Sequence, residues 1–253
     1  MFVFLFSSCR SKDGDFNVFS TEDDLNFGKQ YVAQIENDPK DFKLLNEQDY
    51  PDAYKTVHDI THQIIQSPHL YYPDEFAWEV HIIENDSVLN AFCTPGGYIY
   101  VYTGLIKFLD SEDQLAGVLG HEIAHADLRH STEQMTKQYG VGLILRLIFG
   151  SSNTMSSIAG SLVNLSFSRS DETEADMQSV VYLSDTDYDP RGVARFFEKL
   201  ESRGETMGQL QFLSTHPNPE NRVHNIFVKW KELGSRRGER NSDQYKKLKE
   251  SLP

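Results

Sequence analysis

Two histidines four residues apart are the feature of this 253-residue chain that most clearly suggests chemistry. His121 and His125 enclose Glu122, and an α-helix places residues i and i+4 on one face, about 6 Å apart along its axis. Imidazole nitrogens bind zinc at about 2.0–2.1 Å, so one ion can bridge such a pair. This spacing is typical of zinc hydrolases, in which the glutamate after the first histidine acts as general base.

A third ligand is expected downstream, because a catalytic zinc usually takes three protein ligands and leaves one position for water. The acidic segment 168–176 is the best source of this ligand. On a helix, Glu172 and Asp176 share a face, whereas Glu174 lies on the opposite one. Glu172 is therefore a candidate metal ligand, and Asp176 a candidate acceptor for the far nitrogen of a ligating histidine. The alternative is a solvated acidic helix start, which the upstream histidine pair disfavours.

The residues around the histidine pair predict the helix that it requires. Ser111 is a candidate cap, Glu112 and Asp113 follow it in the first turn, and Gln114 completes the pattern of a capping box. Apolar residues then recur at helical spacing, so we expect a helix from 111 to 136. Further helices are predicted at 20–37, 51–66, 104–109, 142–149, 154–166, 170–183, 190–202 and 219–233, and strands at 77–84 and 98–103. The predicted fold class is α+β and mainly helical, with a small sheet.

The segment 90–102 has the pattern of a β-strand. Tyr98, Tyr100 and Tyr102 alternate with other residues, and a Pro-Gly-Gly turn precedes them. This suits an edge strand that binds an extended peptide by main-chain hydrogen bonds. The alternative is a plain hairpin within a small core sheet.

Four separated motifs resemble, in sequence order, those of the zinc metallopeptidases that include the heat-shock protease HtpX and the CAAX prenyl proteases. They run from Asn90 to Val101, from His121 to His130, from Glu172 to Asp176 and from Ser214 to Pro217. The resemblance covers roughly residues 75–230 and is closest to soluble, single-domain bacterial lipoprotein members. It implies a zincin-like metallopeptidase domain of the gluzincin type, with one Zn²⁺ per chain. The implied metal ligands are His121, His125 and Glu172.

The resemblance also implies roles for residues beyond the ligands. Glu122 would take a proton from the activated water and pass it to the leaving amine. His216 and Arg222 would approach the zinc pocket, where either could stabilise the developing oxyanion. Alternatively, His216 caps a helix start and Arg222 pairs with Glu220 or another acid. In a resting state, His216 could also close the fourth metal position and give a latent enzyme.

An edge strand in this family carries an Asn-Ala-Phe motif, which is matched here at Asn90, Ala91 and Phe92. Gly96 and Gly97 follow in the turn, and their lack of a Cβ lets another chain come close. The resemblance therefore implies that these five residues bind substrate.

A second histidine pair repeats the spacing of the first. His58 and His62 lie on a predicted helix, with Asp59 in place of the glutamate. No motif of the family covers them, and aspartate is one methylene shorter than glutamate. We expect surface or packing histidines at these positions.

Composition limits the possible partners. The net charge is −14, which argues against nucleic acid as a partner because phosphate binding requires clustered lysine and arginine.

We expect a metallopeptidase domain at 21–235, between a signal remnant or lipoprotein tether at 1–20 and a charged C-terminal tail at 236–253.

The first residues resemble the end of a bacterial lipoprotein signal. Apolar residues and two serines precede Cys9, although the apolar run is short and lacks a basic start. We expect membrane association only through lipidation at Cys9, on the periplasmic side of the bacterial envelope and anchored to the outer membrane. No apolar stretch approaches the roughly 20 residues that span a bilayer.

Two classes of function are compatible with these features. The first is a zinc endopeptidase that cleaves misfolded or misassembled envelope proteins, with unfolded or extended segments as substrate. The second is a non-catalytic, zinc-stabilised chaperone or assembly factor that binds extended segments in the same groove. Glu122 favours the first class, because a structural zinc site needs no general base and is usually closed by a fourth protein ligand.

Overall fold

The computed structural model describes residues 17–138, 166–203, 211–217 and 221–253. The helices are α1 (Thr21–Glu36), α2 (Pro51–Ile65), α3 (Thr103–Phe108), α4 (Glu112–Asp127), α5 (130–138), α6 (Arg169–Leu183), α7 (Gly192–Ser202), α8 (Gln211–Thr215), α9 (Arg222–Glu232) and α10 (Ser242–Glu250). The strands are β1 (Glu79–Ile83), β2 (Ala91–Thr94) and β3 (Tyr98–Tyr102). The predicted α+β, mainly helical class is confirmed.

Two predicted helices are not among these elements. The helix at 142–149, and all but the last residue of the one at 154–166, lie outside the described residues. Of the helices that are described, none has the length and apolar character to cross a bilayer.

The three strands form a mixed sheet in the order β1-β3-β2. β3 runs parallel to β1 and antiparallel to β2, and all five of its residues are buried. Its residues Ile99 and Val101 join the main core, whereas its tyrosines pack with Tyr31 and Ile35 of α1. The edge strand predicted for 90–102 is therefore β2, and Tyr98–Tyr102 is the central strand, because it pairs with β1 on one side and with β2 on the other.

Helix α4 lies at the centre of the molecule, and each of its sixteen residues is buried. Two glycines permit this close packing. A Cβ at Gly117 would overlap the backbone nitrogen of Val193 in α7, and a Cβ at Gly120 would lie 2.8 Å from Ser179 Oγ in α6. The neighbouring helices α6 and α7 can therefore approach the backbone of α4 closely.

The single helix predicted for 111–136 is two helices, α4 and α5, separated by a turn at residues 128 and 129. Arg129 has a φ of 61°, in the left-handed region that few residues other than glycine adopt. Its Nε donates to Asp24 Oδ2 at 2.5 Å and its Nη2 donates to the Phe19 carbonyl at 2.7 Å. These contacts come from residues more than 100 positions earlier, so the local pattern did not reveal the break.

Helix starts also differ in detail from the prediction. The expected capping box at Ser111 does not form; instead, the Gln114 side chain accepts a hydrogen bond from the Asp110 N–H at 2.7 Å. A capping box forms at α6, where Ser168 and Asp171 exchange hydrogen bonds. Helix α9 begins at Arg222 rather than 219, after Asn221 with a φ of 60°.

The C-terminal segment differs from the predicted charged tail at 236–253. Tyr245, Leu248 and Leu252 belong to the main hydrophobic core, and the Tyr245 hydroxyl donates to the Ile106 carbonyl at 2.8 Å. Lysines on the outer side of α10 give the segment its charged composition, while its apolar residues, three and four positions apart, share the inner side.

Candidate metal centre

Three helices and one loop bring the candidate residues together. His121, Glu122 and His125 come from α4, and α6 supplies the carboxylates downstream. The segment after α8 supplies a third histidine, and the first residue of α9 supplies an arginine. All are at most 3% exposed: His121, Glu122, His125, Glu172, Asp176, His216 and Arg222.

The distances between the candidate ligand atoms suit a tetrahedral metal. His121 Nε2 lies 3.0 Å from His125 Nε2 and 3.5 Å from Glu172 Oε2. His125 Nε2 lies 3.4 Å from Glu172 Oε1. Bonds of about 2.0–2.1 Å in tetrahedral geometry separate ligand atoms by about 3.3–3.4 Å. The structure thus places these three side chains where one small divalent cation fits between them.

A metal requires neutral imidazole and ionised carboxylate. The pKa shifts of His125 and Glu172 favour these states, whereas the hydrogen bonds and charges of Asp176 and Glu172 raise the pKa of His121 despite its burial. Burial lowers the pKa of His125 well below its ordinary value. Burial alone would raise the pKa of Glu172. The charge of His216 and hydrogen bonds from His121 and His125 outweigh it and hold that pKa well below its usual range.

Glu122 lies beside these candidate ligands, and its carboxylate has a raised pKa and one unpaired oxygen. Burial raises its pKa to about 7, while the charges of His216 and Arg222 and the Cys93 N–H act in the opposite direction. Its Oε1 has no hydrogen-bond partner among the described residues, and His216 Nε2 lies 3.5 Å away. Leaving a buried acceptor unpaired costs about 1–3 kcal/mol, so this oxygen is suited to a water or substrate proton. A base with a pKa near neutrality is also well matched to proton transfer at neutral pH.

Asp176 and Arg222 lie behind the first histidine. Asp176 Oδ1 lies 3.0 Å from His121 Nδ1, the nitrogen directed away from the candidate ligands. Arg222 donates to Asp176 and also to Glu172 Oε2 at 3.1 Å, and its Cζ stacks 3.8 Å from the Phe197 ring centroid. Its Nη1 is buried and has no partner within the described ranges. Arg222 therefore pairs with acids, as the alternative to an oxyanion role expected, and keeps one donor free.

His216 lies between the candidate ligands and Glu122. Its Nδ1 is 2.9 Å from Glu172 Oε1 and 3.3 Å from His121 Nε2, and its ring stacks on Phe212 at 4.4 Å. All four ligand atoms, including one from His216, lie within 4.8 Å of one another. The position of His216 is compatible both with a role as fourth metal ligand and with a role as hydrogen-bond donor to a reacting group.

The edge of β2 faces this centre. The Tyr102 N–H donates to the Asn90 carbonyl at 3.1 Å, whereas the Cys93 N–H is directed to Glu122. Strand alternation then turns the peptide groups of Ala91 to the outer edge and those of Phe92 towards β3. The outer edge of β2 therefore lies next to Glu122, and Ala91 is fully buried there.

The structure corrects the prediction that Gly96 and Gly97 bind substrate. Both are buried in the β2–β3 turn with φ values of 80° and 85°. A Cβ at Gly96 would lie 2.8 Å from Leu25 Cα, and one at Gly97 would lie 3.0 Å from the Trp78 side chain. The segments that pack closely against these two glycines therefore belong to the protein itself.

Sequence reasoning missed two side chains next to His125. His130 Nδ1 lies 2.9 Å from His125 Nδ1, and the Phe167 ring stacks on the His125 ring at 3.9 Å. The second histidine pair is placed elsewhere, with both His58 and His62 exposed on α2.

The sequence matches peptidase family M48 over residues 51–228, a range that contains all of these site residues. The chain belongs to this family. This membership confirms the metallopeptidase family predicted from the four motifs, and it implies a catalytic metal.

Relatives in the family include proteins of mitochondria and bacteria. The chain is 36% identical to the mitochondrial metalloendopeptidase OMA1 of Schizosaccharomyces pombe over 60% of its own length and 46% of the relative. It is 37% identical to the Arabidopsis thaliana protein of the same name, over 58% of this chain and 30% of the relative. It is 31% identical to the Beta-barrel assembly-enhancing protease of Escherichia coli, over 56% of this chain and 32% of the relative. The matched region thus spans less than half of each relative.

Proposed function

We propose that this chain is a zinc-dependent endopeptidase. The supporting observation is the spacing of 3.0–3.5 Å between the facing atoms of His121, His125 and Glu172, with the Glu122 carboxylate directly alongside. Borderline-soft zinc is bound by this combination of imidazole and carboxylate ligands. The names of the relatives, metalloendopeptidase and protease, agree with this activity.

A zinc ion held by these ligands would lower the pKa of water from about 15.7 to about 7 and polarise the scissile carbonyl. Glu122 then accepts the water proton on its unpaired Oε1 and delivers it to the leaving amine. His216 Nε2 and Arg222 Nη1 are the nearby donors for the oxyanion that develops on the carbonyl. Asp176 holds the His121 ring through Nδ1, which leaves Nε2 for the metal.

The proposed substrates are unfolded or extended segments of protein. The outer edge of β2 carries the peptide groups of Ala91, which are buried in this structure and must be uncovered before a strand can be added. Asn90 contributes a buried Oδ1 with no partner in the described part of the chain. A folded protein has already paired most of its backbone groups internally, so strand addition selects segments that have not. Misfolded or misassembled envelope proteins fit this requirement, and the name of the Escherichia coli relative supports that class.

We propose a location on the periplasmic side of the bacterial envelope, with a lipid anchor at Cys9 on the outer membrane. Support comes from the lipoprotein-like segment before Cys9, which lies outside the described residues, and from the bacterial relatives. The mitochondrial relatives belong to the same family but carry no information on this anchor.

His216 supports the alternative function, a zinc-stabilised assembly factor that does not cleave. A fourth protein ligand is the mark of a structural zinc site, and His216 Nδ1 is close enough to Glu172 and His121 to join the group. The same contact would make an enzyme latent until substrate displaces the ring.

The test is degradation of unfolded casein by the purified, zinc-loaded chain. We expect fragments to appear, a chelator to stop their formation, and added zinc to restore it. His216→Ala separates the alternatives: activity rises if His216 blocks the metal and falls if it stabilises the oxyanion. A zinc-loaded chain that binds casein without cleaving it, both as parent and as His216→Ala, would support the assembly factor and refute the endopeptidase.

A further inference from the structure

His130 is a buried histidine for which the proposed reaction gives no role. It is 2% exposed, and its Nδ1 lies 2.9 Å from His125 Nδ1. Its other nitrogen, Nε2, lies 3.5 Å from Glu174 Oε2 on α6. The three side chains thus form a line that leads from a half-exposed carboxylate to a candidate metal ligand.

If His125 binds a metal, the ring protons of His125 and His130 can be arranged in only one way that keeps their hydrogen bond. His125 Nε2 faces the other candidate ligands, so it must carry no proton, and the proton of the neutral ring lies on Nδ1. This Nδ1–H donates to His130 Nδ1, which must then be an acceptor. The proton of His130 therefore lies on Nε2, where it is directed to the Glu174 carboxylate.

The backbone is bent at the place that makes this contact. In an uninterrupted α-helix, residues five apart point about 140° away from each other, so the two rings would not meet. The turn at residues 128 and 129 ends α4 and redirects the chain, and Arg129 adopts its φ of 61° there. Asp24 and the Phe19 carbonyl hold the Arg129 side chain and keep this conformation in place. Strained residues of this kind persist only where surrounding contacts fix them, and they concentrate at functional sites.

We propose that His130 is a positioning residue, which fixes the ring orientation and tautomer of His125 for metal binding and is itself oriented by Glu174. The inference rests on the proposed zinc site and assigns a purpose to the break after α4. Phe167 limits the remaining freedom of the ring, because it stacks on one face of His125 with an interplanar angle of 21°. His121 has a direct carboxylate partner in Asp176, whereas His125 reaches its carboxylate through a second imidazole.

The test compares two substitutions at His130. In His130→Phe, a ring remains but the acceptor is lost, so the His125 Nδ1–H is buried without a partner. In His130→Asn, the side-chain amide oxygen can stand near the former Nδ1 and accept the same hydrogen bond. Glu174→Gln removes the charge at the far end of the line. His62→Asn is the matched control, because it makes the same change at an exposed histidine of α2.

Zinc affinity, measured by competition with a chromogenic chelator, is the first readout. We expect His130→Phe to weaken zinc binding about 10–100-fold, His130→Asn to recover most of this loss, and Glu174→Gln to have a smaller effect than His130→Phe. His62→Asn should bind zinc as the parent does. At saturating zinc, the KM of the His130→Asn protein for casein should match the parent.

Nitrogen-15 NMR of the histidine rings in the zinc-loaded protein is the second readout. It should show His125 protonated on Nδ1 and His130 protonated on Nε2. The proposal is overturned if His130→Phe binds zinc as tightly as the parent, or if His125 carries its proton on Nε2. Failure of the parent to bind zinc is a different result, which refutes the metal site itself.

Discussion

Arg222 donates a hydrogen bond to each carboxylate oxygen of Asp176, with Nε 2.6 Å from Oδ2 and Nη2 2.8 Å from Oδ1. This fork joins the first residue of α9 to the helix that carries Glu172, and both partners are almost fully buried. Bidentate pairs of this kind combine strong hydrogen bonds with a fixed geometry. The contact therefore ties the last part of the M48 domain to the metal centre.

Loss of this fork should destabilise the protein strongly. Arg222→Leu leaves two carboxylates buried without their cation, and removal of one partner of a buried pair costs about 3–5 kcal/mol. Arg222→Lys keeps the charge but cannot form the fork, so its loss should be smaller. Urea unfolding of the metal-free proteins measures both changes in the free energy of unfolding. Equal stability of Arg222→Leu and the parent would show that the pair contributes little.

The two glycines of α4 give a matched pair of substitutions. Alanine favours a helix over glycine by about 1 kcal/mol, so either change is favourable in the absence of crowding. At Gly117 the new methyl group meets the backbone of Val193, which cannot move without shifting α7, and we expect a net loss of about 1–3 kcal/mol. At Gly120 it meets Ser179 Oγ, which can move only by giving up its hydrogen bond to the Gly117 carbonyl, so Gly120→Ala should cost less than Gly117→Ala. Thermal unfolding of the metal-free variants distinguishes these outcomes, and a stabilised Gly117→Ala would contradict the packing described.

The C-terminal helix should contribute to the stability of the domain. Tyr245→Phe removes only the hydroxyl that binds the Ile106 carbonyl, at a cost of about 1 kcal/mol. Tyr245→Ala empties a buried site and should cost about 3–5 kcal/mol. The neighbouring Lys246→Ala is the control, because its side chain is 69% exposed. A single unfolding transition in which both tyrosine variants behave like the parent would instead indicate a detached tail.

Much of the fold could be predicted because the relevant signals are local. The pattern of α4, including its histidine pair, follows from helical spacing, and the four motifs, read in order along the chain, are sufficient to indicate the family. Glu172 and Asp176 were singled out by their i, i+4 spacing, and they face the histidines across the α4–α6 contact. The C-terminal helix also carried a local signal, the spacing of Tyr245, Leu248 and Leu252, which its many lysines obscured.

The features that sequence missed depend on distant contacts. The break at Arg129 has neither glycine nor proline to announce it, and it is maintained by Asp24, which lies 105 positions earlier. The contact of His130 with His125 depends on that break, so no helical periodicity could reveal it. The central position of Tyr98–Tyr102 was missed for a similar reason, because alternation indicates a strand but does not say how many neighbours it has.

Metal binding should stabilise the folded chain. A ligand that binds only the native state adds about 4 kcal/mol at a free concentration 1,000 times its Kd. Zinc should therefore raise the unfolding midpoint of the parent, and a chelator should reverse this change. In His121→Ala the midpoint should respond much less, because one of three close ligands is gone. A parent whose midpoint is indifferent to zinc and to chelator would contradict a site formed by His121, His125 and Glu172.

The most direct test of the catalytic assignment is Glu122→Gln, assayed for both zinc content and casein cleavage. Glutamine is nearly isosteric with glutamate but cannot accept the water proton, and loss of a general base typically costs about 10²–10⁴-fold in rate. Glu201→Gln, an exposed change on α7, is the control. We expect Glu122→Gln to retain one zinc per chain and to lose cleavage, while the control retains both. Cleavage by zinc-loaded Glu122→Gln at the rate of the parent would contradict the role of Glu122 as general base.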